Sequence, residues 1–489
     1  MWSFIISLIV LVIGSFIYGK FVENVFHPES KNATPAITKE DGVDYVPMPG
    51  WKVFMIQFLN IAGTGPIFGA IMGAKFGPSC YLWIVFGSIF AGAVHDYFTG
   101  MMSMRDGGAS LPDLVGDHIG KRPKRLMMAF SLILLMLVGT VFVYSPALIL
   151  GDIAGFMGTP KMSIMIWVFI IFAYYIIATV LPIDKIIGKI YPLFAFTLLF
   201  MAAALGVCLF IKWPGIPEFW EGLNNMGPEA GITGQRIFPC LFITVACGAI
   251  SGFHATQSPI MARCVTNETN GRPIFYGAMI TEGIVALIWA AISSYFFFGG
   301  GMQEVGATSG QAPVVVTAVS KHWLGMFGGI LAIMGVVAAP ITSGDTAFRG
   351  VRIIIADALK LNQKSKKNRL LIAIPIFIVG GLLLWYNIAD ENGFNNIWRY
   401  FGWANQALAA FMLWTATIYL IRHGRKRFHY LITMIPAMFV TATSTCYICT
   451  EKIGFYMSFW NGFIVAIIVA LVLPAEILFY EHHRSKKLK

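Results

Sequence analysis

The chain has 489 residues, of which 57% are hydrophobic and only 12% are charged, and its mean hydropathy is +0.72. Because soluble proteins carry about 25% charged residues, this composition excludes a soluble globular protein and predicts an all-α polytopic membrane protein. The net charge of +11 comes from basic residues that cluster in loops, which is typical of membrane orientation and predicts no nucleic-acid partner.

Thirteen apolar segments predict spanning helices, since a helix needs about 20 apolar residues to cross a bilayer. The first segment has neither the basic start nor the small-residue cleavage site of a signal peptide, so we expect it to span the membrane. The predicted spans lie near residues 2–22, 52–74, 79–104, 125–150, 163–182, 187–211, 236–259, 272–298, 324–347, 369–388, 396–421, 429–449 and 455–480.

The lysines and arginines predict the topology. If the N-terminus lies outside, the external connections hold seven of the 35 basic residues and the cytoplasmic side holds 28. The seven are Lys75, Lys161, Lys212, Arg236, Lys321, Arg399 and Lys452. Such an excess on the cytoplasmic side predicts a protein of the cell membrane with its N-terminus outside and its C-terminus in the cytoplasm. The basic loops are then placed to contact anionic lipids of the bilayer.

The second segment is interrupted by Gly63, Thr64, Gly65 and Pro66. Proline is tolerated in the first turn of a new helix, and glycine lets a ligand approach the backbone. The helix that begins here directs free N–H groups into the gap, which favours a carboxylate. The preceding carbonyls near Ala62 suit a cation such as Na⁺. The alternative is a packing kink without a ligand.

The seventh segment is interrupted between residues 247 and 259. Polar side chains in the middle of a membrane are costly unless they face protein or water. We therefore expect Ser251, His254, Thr256 and Gln257 to complete the substrate site with the first break. His254 titrates near neutral pH in its ordinary state, and a fixed interhelical hydrogen bond is the alternative role for it.

Ionisable residues inside other segments are candidates for ion coupling. Asp96, which follows His95, lies in the third segment, Glu282 in the eighth and Asp345 in the ninth. Structural pairing is the alternative for each carboxylate, and Asp345 has a possible helix partner four residues away in Arg349.

A third polar turn is predicted at residues 340–346. There Thr342 and Ser343, with Ala62, form a possible Na⁺ site.

The two breaks lie five spans apart, on spans that run in opposite directions. This offset predicts a five-plus-five inverted repeat of the LeuT-like kind, with the substrate held between spans two and seven. The predicted organisation is a peripheral helix and cytoplasmic loop (1–50), a first repeat (51–213), an external loop (214–235), a second repeat (236–421) and peripheral spans with a basic tail (422–489).

Other functional classes are less well supported by the sequence. Zinc-protease, phosphate-loop and serine-hydrolase motifs are lacking, so we expect neither an enzyme nor a resident metal or cofactor. Cys446 and Cys449 are closely spaced, and packing is favoured over a disulfide or metal role. A membrane sensor or a channel is the further alternative to a transporter. The sequence does not address the oligomeric state.

Six segments together resemble the carbon starvation protein A family of inner-membrane transporters. They are residues 60–66, 91–96, 105–111, 248–259, 275–283 and 345–349. The resemblance implies import of short peptides during carbon starvation, with pyruvate as the alternative substrate. It also implies a distant relation to the amino acid–polyamine–organocation superfamily. His95 stands where many relatives are expected to have glutamine. We therefore expect a secondary active importer that works by alternating access and is coupled to H⁺ or Na⁺.

Overall fold

A computed structural model describes residues 1–153, 160–180, 183–307, 309–390 and 393–487. Apart from one isolated bridge between Met48 and Val265, the described residues form helices and the turns between them. The prediction of an all-α membrane protein is therefore confirmed.

The described residues up to Lys212 form ten α-helices. They are α1 (Trp2–Phe26), α2 (Pro35–Thr38), α3 (Gly50–Ile61), α4 (Gly65–Ala74), α5 (Ser79–Gly87), α6 (Ala93–Arg105), α7 (Leu111–His118), α8 (Lys121–Ile153), α9 (Pro160–Val180) and α10 (Ile183–Lys212). A π-helical turn, Ser88–Gly92, joins α5 to α6 into one long element.

The described residues after Lys212 form nine more α-helices. They are α11 (Phe242–Thr244), α12 (His254–Ala262), α13 (Gly277–Phe298), α14 (Gly301–Glu304), α15 (Ala312–Ala358), α16 (Lys366–Ala389), α17 (Gly393–His423), α18 (Leu431–Thr450) and α19 (Phe459–Lys487). Shorter helical turns lie at Phe219–Glu221, Ile237–Leu241, Glu268–Asn270 and Arg272–Tyr276.

Eleven described helices are long and apolar enough to cross a membrane, and the count is twelve if the bent pair α3 and α4 is one span. The remaining predicted span, 236–259, consists of short helices separated by the non-helical residues 245–253. A broken crossing of this kind has no continuous helix of spanning length. The count of thirteen, the inverted repeat and the orientation of the termini stay predictions.

The ninth span differs from its predicted form. It belongs to α15, which has 47 residues and a kink at Gly325, where φ is +67°. The polar turn predicted at residues 340–346 is wrong, because this stretch is helical. The hydroxyls of Thr342 and Thr346 donate to carbonyls one turn back in the same helix, at 3.0 and 3.2 Å. Their polar groups are therefore satisfied without a break.

Burial separates a central bundle from peripheral helices. We compare the most apolar 18-residue stretch of each spanning helix by the share of it that is buried. This share is 83% in Ser79–Arg105, in Glu268–Phe298 and in Ile397–His423, but only 28% in α1 and 22% in α19. Within the bundle, α4 packs on α13, α12 packs on α3 and α6, and α15 packs on α8 and α10. Both breaks therefore lie among the most buried helices of the molecule.

Candidate functional site

The break between α3 and α4 bends the chain by 48°. Pro66 stands in the first turn of α4, where its missing N–H costs no helical hydrogen bond. A Cβ added to Gly63 would lie 2.6 Å from the ring of Phe142, and one added to Gly65 would overlap the side chain of Cys247. Protein therefore surrounds both glycines in this conformation, and only glycine allows the two breaks to approach so closely.

The second break is the run of residues 245–253 between α11 and α12, and side chains of neighbouring helices pair with its backbone. The side-chain oxygen of Asn405 accepts the Phe253 N–H at 2.7 Å and the Ser251 hydroxyl at 3.0 Å. Gln406 donates to the Ile250 carbonyl at 3.1 Å, and Ser88 donates to the Gly248 carbonyl at 3.1 Å. These bonds replace the helical bonds that the break removes, as backbone in a membrane requires.

Four ionisable side chains form one line beside this break: His95, Asp96, His254 and Glu282, here called the His–Asp tetrad. Asp96 Oδ1 lies 2.7 Å from His95 Nδ1, and Asp96 Oδ2 lies 2.8 Å from His254 Nδ1. The other ring nitrogen of His254, Nε2, lies 3.4 Å from Glu282 Oε2. All four residues are completely buried. The structure thus brings together four residues that come from three elements, α6, α12 and α13.

The charge of the tetrad depends on the protons that it holds. Each of its two carboxyls and two imidazoles can take up one proton, and all four side chains are fully buried. Neither oxygen of Glu282 has a hydrogen-bond partner among the described residues, and the same is true of His95 Nε2. A buried ionised group without such partners is costly, so each proton gained or lost changes the stability of this arrangement.

Several polar groups near the two breaks are buried without partners in the described chain. They include both side-chain polar atoms of Asn60, the hydroxyl of Thr64 and the side-chain oxygen of Gln257. The Thr256 hydroxyl, by contrast, donates to the Phe253 carbonyl at 2.6 Å and accepts from Gln257 at 2.9 Å. Such unpaired groups are uncommon in proteins, and a polar ligand would satisfy them.

Two hydroxyls of α15 lie near the end of α3. Ser343 donates to the Leu59 carbonyl at 3.1 Å, and Gly63 lies directly beside the Ser343 hydroxyl. Thr342 donates to Ala338 and Ala339 of its own helix at 3.0 and 2.8 Å. The predicted Na⁺ ligands Thr342 and Ser343 are thus both buried, and Ser343 lies beside Gly63, the residue after Ala62.

Asp345 lies apart from the tetrad. Its Oδ2 accepts from Tyr191 at 2.8 Å and from Tyr174 at 3.4 Å, and its Oδ1 has no hydrogen-bond partner among the described residues. Arg349, one turn away, donates to the Ala178 carbonyl at 2.6 Å and lies 3.7 Å from Asp44. The candidate carboxylates therefore form two groups, one at the second break and one on α15.

A cavity of about 250 Å³ opens beside the ends of α4 and α11 that we predict to face outward. Met72, Thr244, Arg399 and Tyr447 contribute to its wall, and Ile232 and Gln235 belong to the predicted external loop. An arginine at the wall of such a cavity favours the approach of an anion.

Sequence reasoning missed Asn405, Gln406 and Asn60. Each is a polar side chain inside an apolar span, so the rule that drew attention to Asp96 and Glu282 also applies to them. Amides carry no charge, so sequence reasoning assigned them less weight than the carboxylates. The structure shows that Asn405 and Gln406 form hydrogen bonds with the backbone of residues 245–253.

The comparisons with known proteins agree over nearly the whole chain. The family described as Carbon starvation protein CstA matches residues 1–150, 154–324 and 296–447. An uncharacterized membrane protein of Haemophilus influenzae is 47% identical over 341 residues, which cover 61% of this chain and 91% of that protein.

Two relatives from Escherichia coli strain K12 carry functional names. The peptide transporter CstA is 25% identical, and the alignment covers 94% of this chain and 81% of that one. The pyruvate/proton symporter BtsT is 24% identical, with 91% and 80% covered.

A solved structure shares the fold. The manganese transporter of Eremococcus coleocola aligns with a TM-score of 0.55 at 10% identity and covers 90% of this chain and 97% of that one. The helical architecture is therefore one that membrane transporters use. Given the match of the family along almost the entire sequence, the chain belongs to the carbon starvation protein CstA family.

Proposed function

We propose that the protein is a proton-coupled secondary transporter that imports short peptides by alternating access. The observation that carries this proposal is the His–Asp tetrad, a line of four fully buried ionisable groups beside a broken helix. In membrane proteins, ionisable groups at such depth typically mark a proton or ion pathway.

The tetrad is placed to couple proton binding to the substrate site. His254 is the first residue of α12 and so directly follows the unwound residues 245–253. A ligand that changes the conformation of these residues also moves the imidazole between Asp96 and Glu282. The contacts of His254 with Asp96 and Glu282 set the free energy of each protonation state. A ligand that moves the imidazole therefore changes its proton affinity, and proton binding in turn changes ligand affinity.

The break at α4 supports a substrate with a carboxylate. α4 begins with Gly65 and Pro66, and the free N–H groups of this first turn point toward the gap, where an anion is favoured. The unpaired groups of Asn60, Thr64 and Gln257 supply further donors and acceptors, which suits a peptide better than a smaller monocarboxylate. Pyruvate is the alternative substrate, favoured by the name of the E. coli symporter relative. In this proposal the two breaks belong to inverted repeats.

Sodium coupling is the second candidate. Ser343, Thr342 and the carbonyls at the end of α3 provide the oxygen atoms that a hard cation prefers. The proton is favoured by Glu282, because this fully buried carboxyl accepts no hydrogen bond from the described chain and a bound proton would neutralise it.

Uptake into proteoliposomes tests the proposal. The purified chain is offered labelled dipeptides, tripeptides or pyruvate, with H⁺ and Na⁺ gradients imposed separately. We expect accumulation of peptide above its external concentration under an inward proton gradient and none under a sodium gradient. Accumulation driven by sodium alone would assign coupling to Ala62, Thr342 and Ser343. Simple equilibration under both gradients would favour a channel and overturn the proposal.

A further inference from the structure

Four arginines converge on one carboxylate at the end of α15 that is predicted to face the cytoplasm. They are Arg263, just after α12, Arg349 and Arg352 in α15, and Arg369 in α16. Together with Asp44 we call them the arginine cluster. Arg349 and Arg352 are completely buried, and Arg369 and Arg263 are only 3% and 4% exposed.

Asp44 is the shared partner of the cluster. Its Oδ1 and Oδ2 accept from Arg352 Nη2 at 2.9 and 3.2 Å, and Arg349 Nη1 lies 3.7 Å from Oδ1. The loop that carries Asp44 is fixed locally, because Asp41 Oδ1 accepts the N–H groups of Val43, Asp44 and Tyr45 at 2.8–3.0 Å.

Carboxylates of the described chain contact three arginines of the cluster. Asp44 serves Arg349 and Arg352, and Asp357 lies 3.2 Å from Arg263. The guanidinium of Arg369 interacts with the charges of Asp44 and Arg349. Nevertheless, Nε and Nη1 of Arg369 and Nε of Arg352 are buried without an acceptor in the described chain.

Buried guanidinium donors without acceptors are costly, so an anion that satisfies them gains binding energy. Guanidinium groups match the two oxygens of a carboxylate or phosphate with parallel hydrogen bonds. We propose that the arginine cluster is a binding site for an oxyanion, with Arg369 supplying the open donors. The carboxylate of Asp44 then occupies part of the site from within the chain and competes with the ligand.

The oxyanion has two possible sources on that side of the membrane: a free anion such as inorganic phosphate, or the phosphate of an anionic lipid headgroup, which, unlike that of phosphatidylcholine, has no choline to neutralise it. Both offer the same chemistry to Arg369. The inference is independent of the proposed transport function, because it concerns equilibrium binding at residues that do not belong to the His–Asp tetrad.

Phosphate titration tests the site. The full chain is placed in nanodiscs of phosphatidylcholine, and its Tm is followed as inorganic phosphate replaces chloride at constant ionic strength. We expect a saturable rise in Tm. Since a hydrogen bond to a charged group contributes about 1.5–3 kcal/mol, Arg369→Gln should weaken the apparent Kd at least about tenfold. Asp44→Asn should strengthen it by a similar factor, because a competing carboxylate is removed.

The matched control is Lys367→Gln, which removes one positive charge from an exposed position two residues away. It should bind phosphate like the unchanged chain. Equal responses of Arg369→Gln and Lys367→Gln would overturn the proposal. If Arg369→Gln does not fold, Arg369→Lys decides, because lysine keeps the positive charge but cannot form parallel hydrogen bonds to two oxygens, so phosphate binding should still weaken.

Nanodiscs that contain phosphatidylglycerol identify the source. If a headgroup fills the site, the Tm of the unchanged chain should already be raised without phosphate, and added phosphate should have no further effect. If free phosphate is the ligand, its effect should persist in these nanodiscs. No response to either phosphate or phosphatidylglycerol would contradict the site.

Discussion

At the scale of single residues, the position of His254 is the most consequential feature. The residue lies between Asp96 and Glu282, so each of its ring nitrogens faces a carboxylate. The sequence marked all three residues as buried and ionisable, from their positions in apolar spans. It did not reveal that they meet, because residues 96, 254 and 282 are far apart along the chain and only packing brings α6, α12 and α13 together. It also assigned His254 to the substrate, a role that the geometry leaves as a prediction.

Glu282→Gln tests the role of the tetrad in coupling. Glutamine keeps the size of the side chain but takes up no proton, so accumulation driven by a pH gradient should fall to the level of empty liposomes. Exchange of labelled for unlabelled substrate at equal concentrations should persist, because it needs no net proton movement. Both rates are measured in proteoliposomes.

The control for this experiment is Glu476→Gln, which removes a carboxylate from an exposed position of α19. It should leave both rates unchanged. Normal gradient-driven accumulation by Glu282→Gln would show that the coupling proton is carried elsewhere.

At the scale of elements, the contact between the two breaks joins the halves of the candidate site. The sequence predicted both breaks from glycine, proline and polar residues, and both are present. The bounds predicted for the second break, 247–259, are wrong: the break covers residues 245–253, because residues 254–259 already belong to α12, so Thr256 and Gln257 lie on a helix. The sequence also predicted a turn at residues 340–346, where hydroxyls that bond their own helix keep α15 continuous. Polar composition alone does not distinguish these cases. In α15 the hydroxyls donate to carbonyls of their own helix, which stays continuous. At the second break the backbone is bonded instead by a side chain of another helix, Asn405.

A pair of substitutions tests this contact. Gly65→Ala adds a methyl group that overlaps Cys247, and such overpacking costs about 1–3 kcal/mol. We expect uptake to fall strongly while the protein remains folded. Adding Cys247→Gly removes the overlapping atoms and should restore a large part of the uptake, so the two changes should be far from additive.

The control is Gly206→Ala in α10, where the nearest atom to an added Cβ is 3.5 Å away. It should have little effect on uptake. If Gly65→Ala transports normally, or if Cys247→Gly gives no rescue, the two breaks do not depend on this close contact.

At the scale of the whole molecule, the arginine cluster ties together segments that are distant in the sequence. Asp44 belongs to the connection between the first two spans, and the arginines that it contacts belong to the ninth. Charge counting in the sequence used these arginines only to predict orientation. It had no means of showing that one carboxylate of the first cytoplasmic loop is buried against α15.

Asp44 should make stability depend on pH. Burial alone would raise the pKa of its carboxyl, but Arg352, Arg349 and Arg263 outweigh that effect and hold the pKa below its ordinary value. Its stabilisation is therefore present above the unfolded pKa of about 3.9 and is lost as the pH falls through the lower folded pKa.

Asp44→Asn should lower the stability at pH 7 by about 3–5 kcal/mol, since it leaves buried arginines with less negative charge. The difference from the unchanged chain should shrink when the pH falls below about 4. Thermal unfolding in phosphate-free buffer between pH 3 and pH 7 measures both effects. Asp117→Asn, at an exposed position, is the control. A difference that does not vary with pH would contradict the role of the Asp44 charge.

The single imidazole between two carboxylates also has an electrical consequence. A neutral imidazole carries one N–H and its cation carries two, so a single imidazole accounts for one proton in each transport cycle. If one proton accompanies each substrate, a zwitterionic peptide moves one net positive charge across the membrane, whereas a monoanion such as pyruvate moves none. Membrane voltage should therefore drive peptide uptake and leave pyruvate uptake unaffected, and the current carried by the protein would distinguish the two substrates.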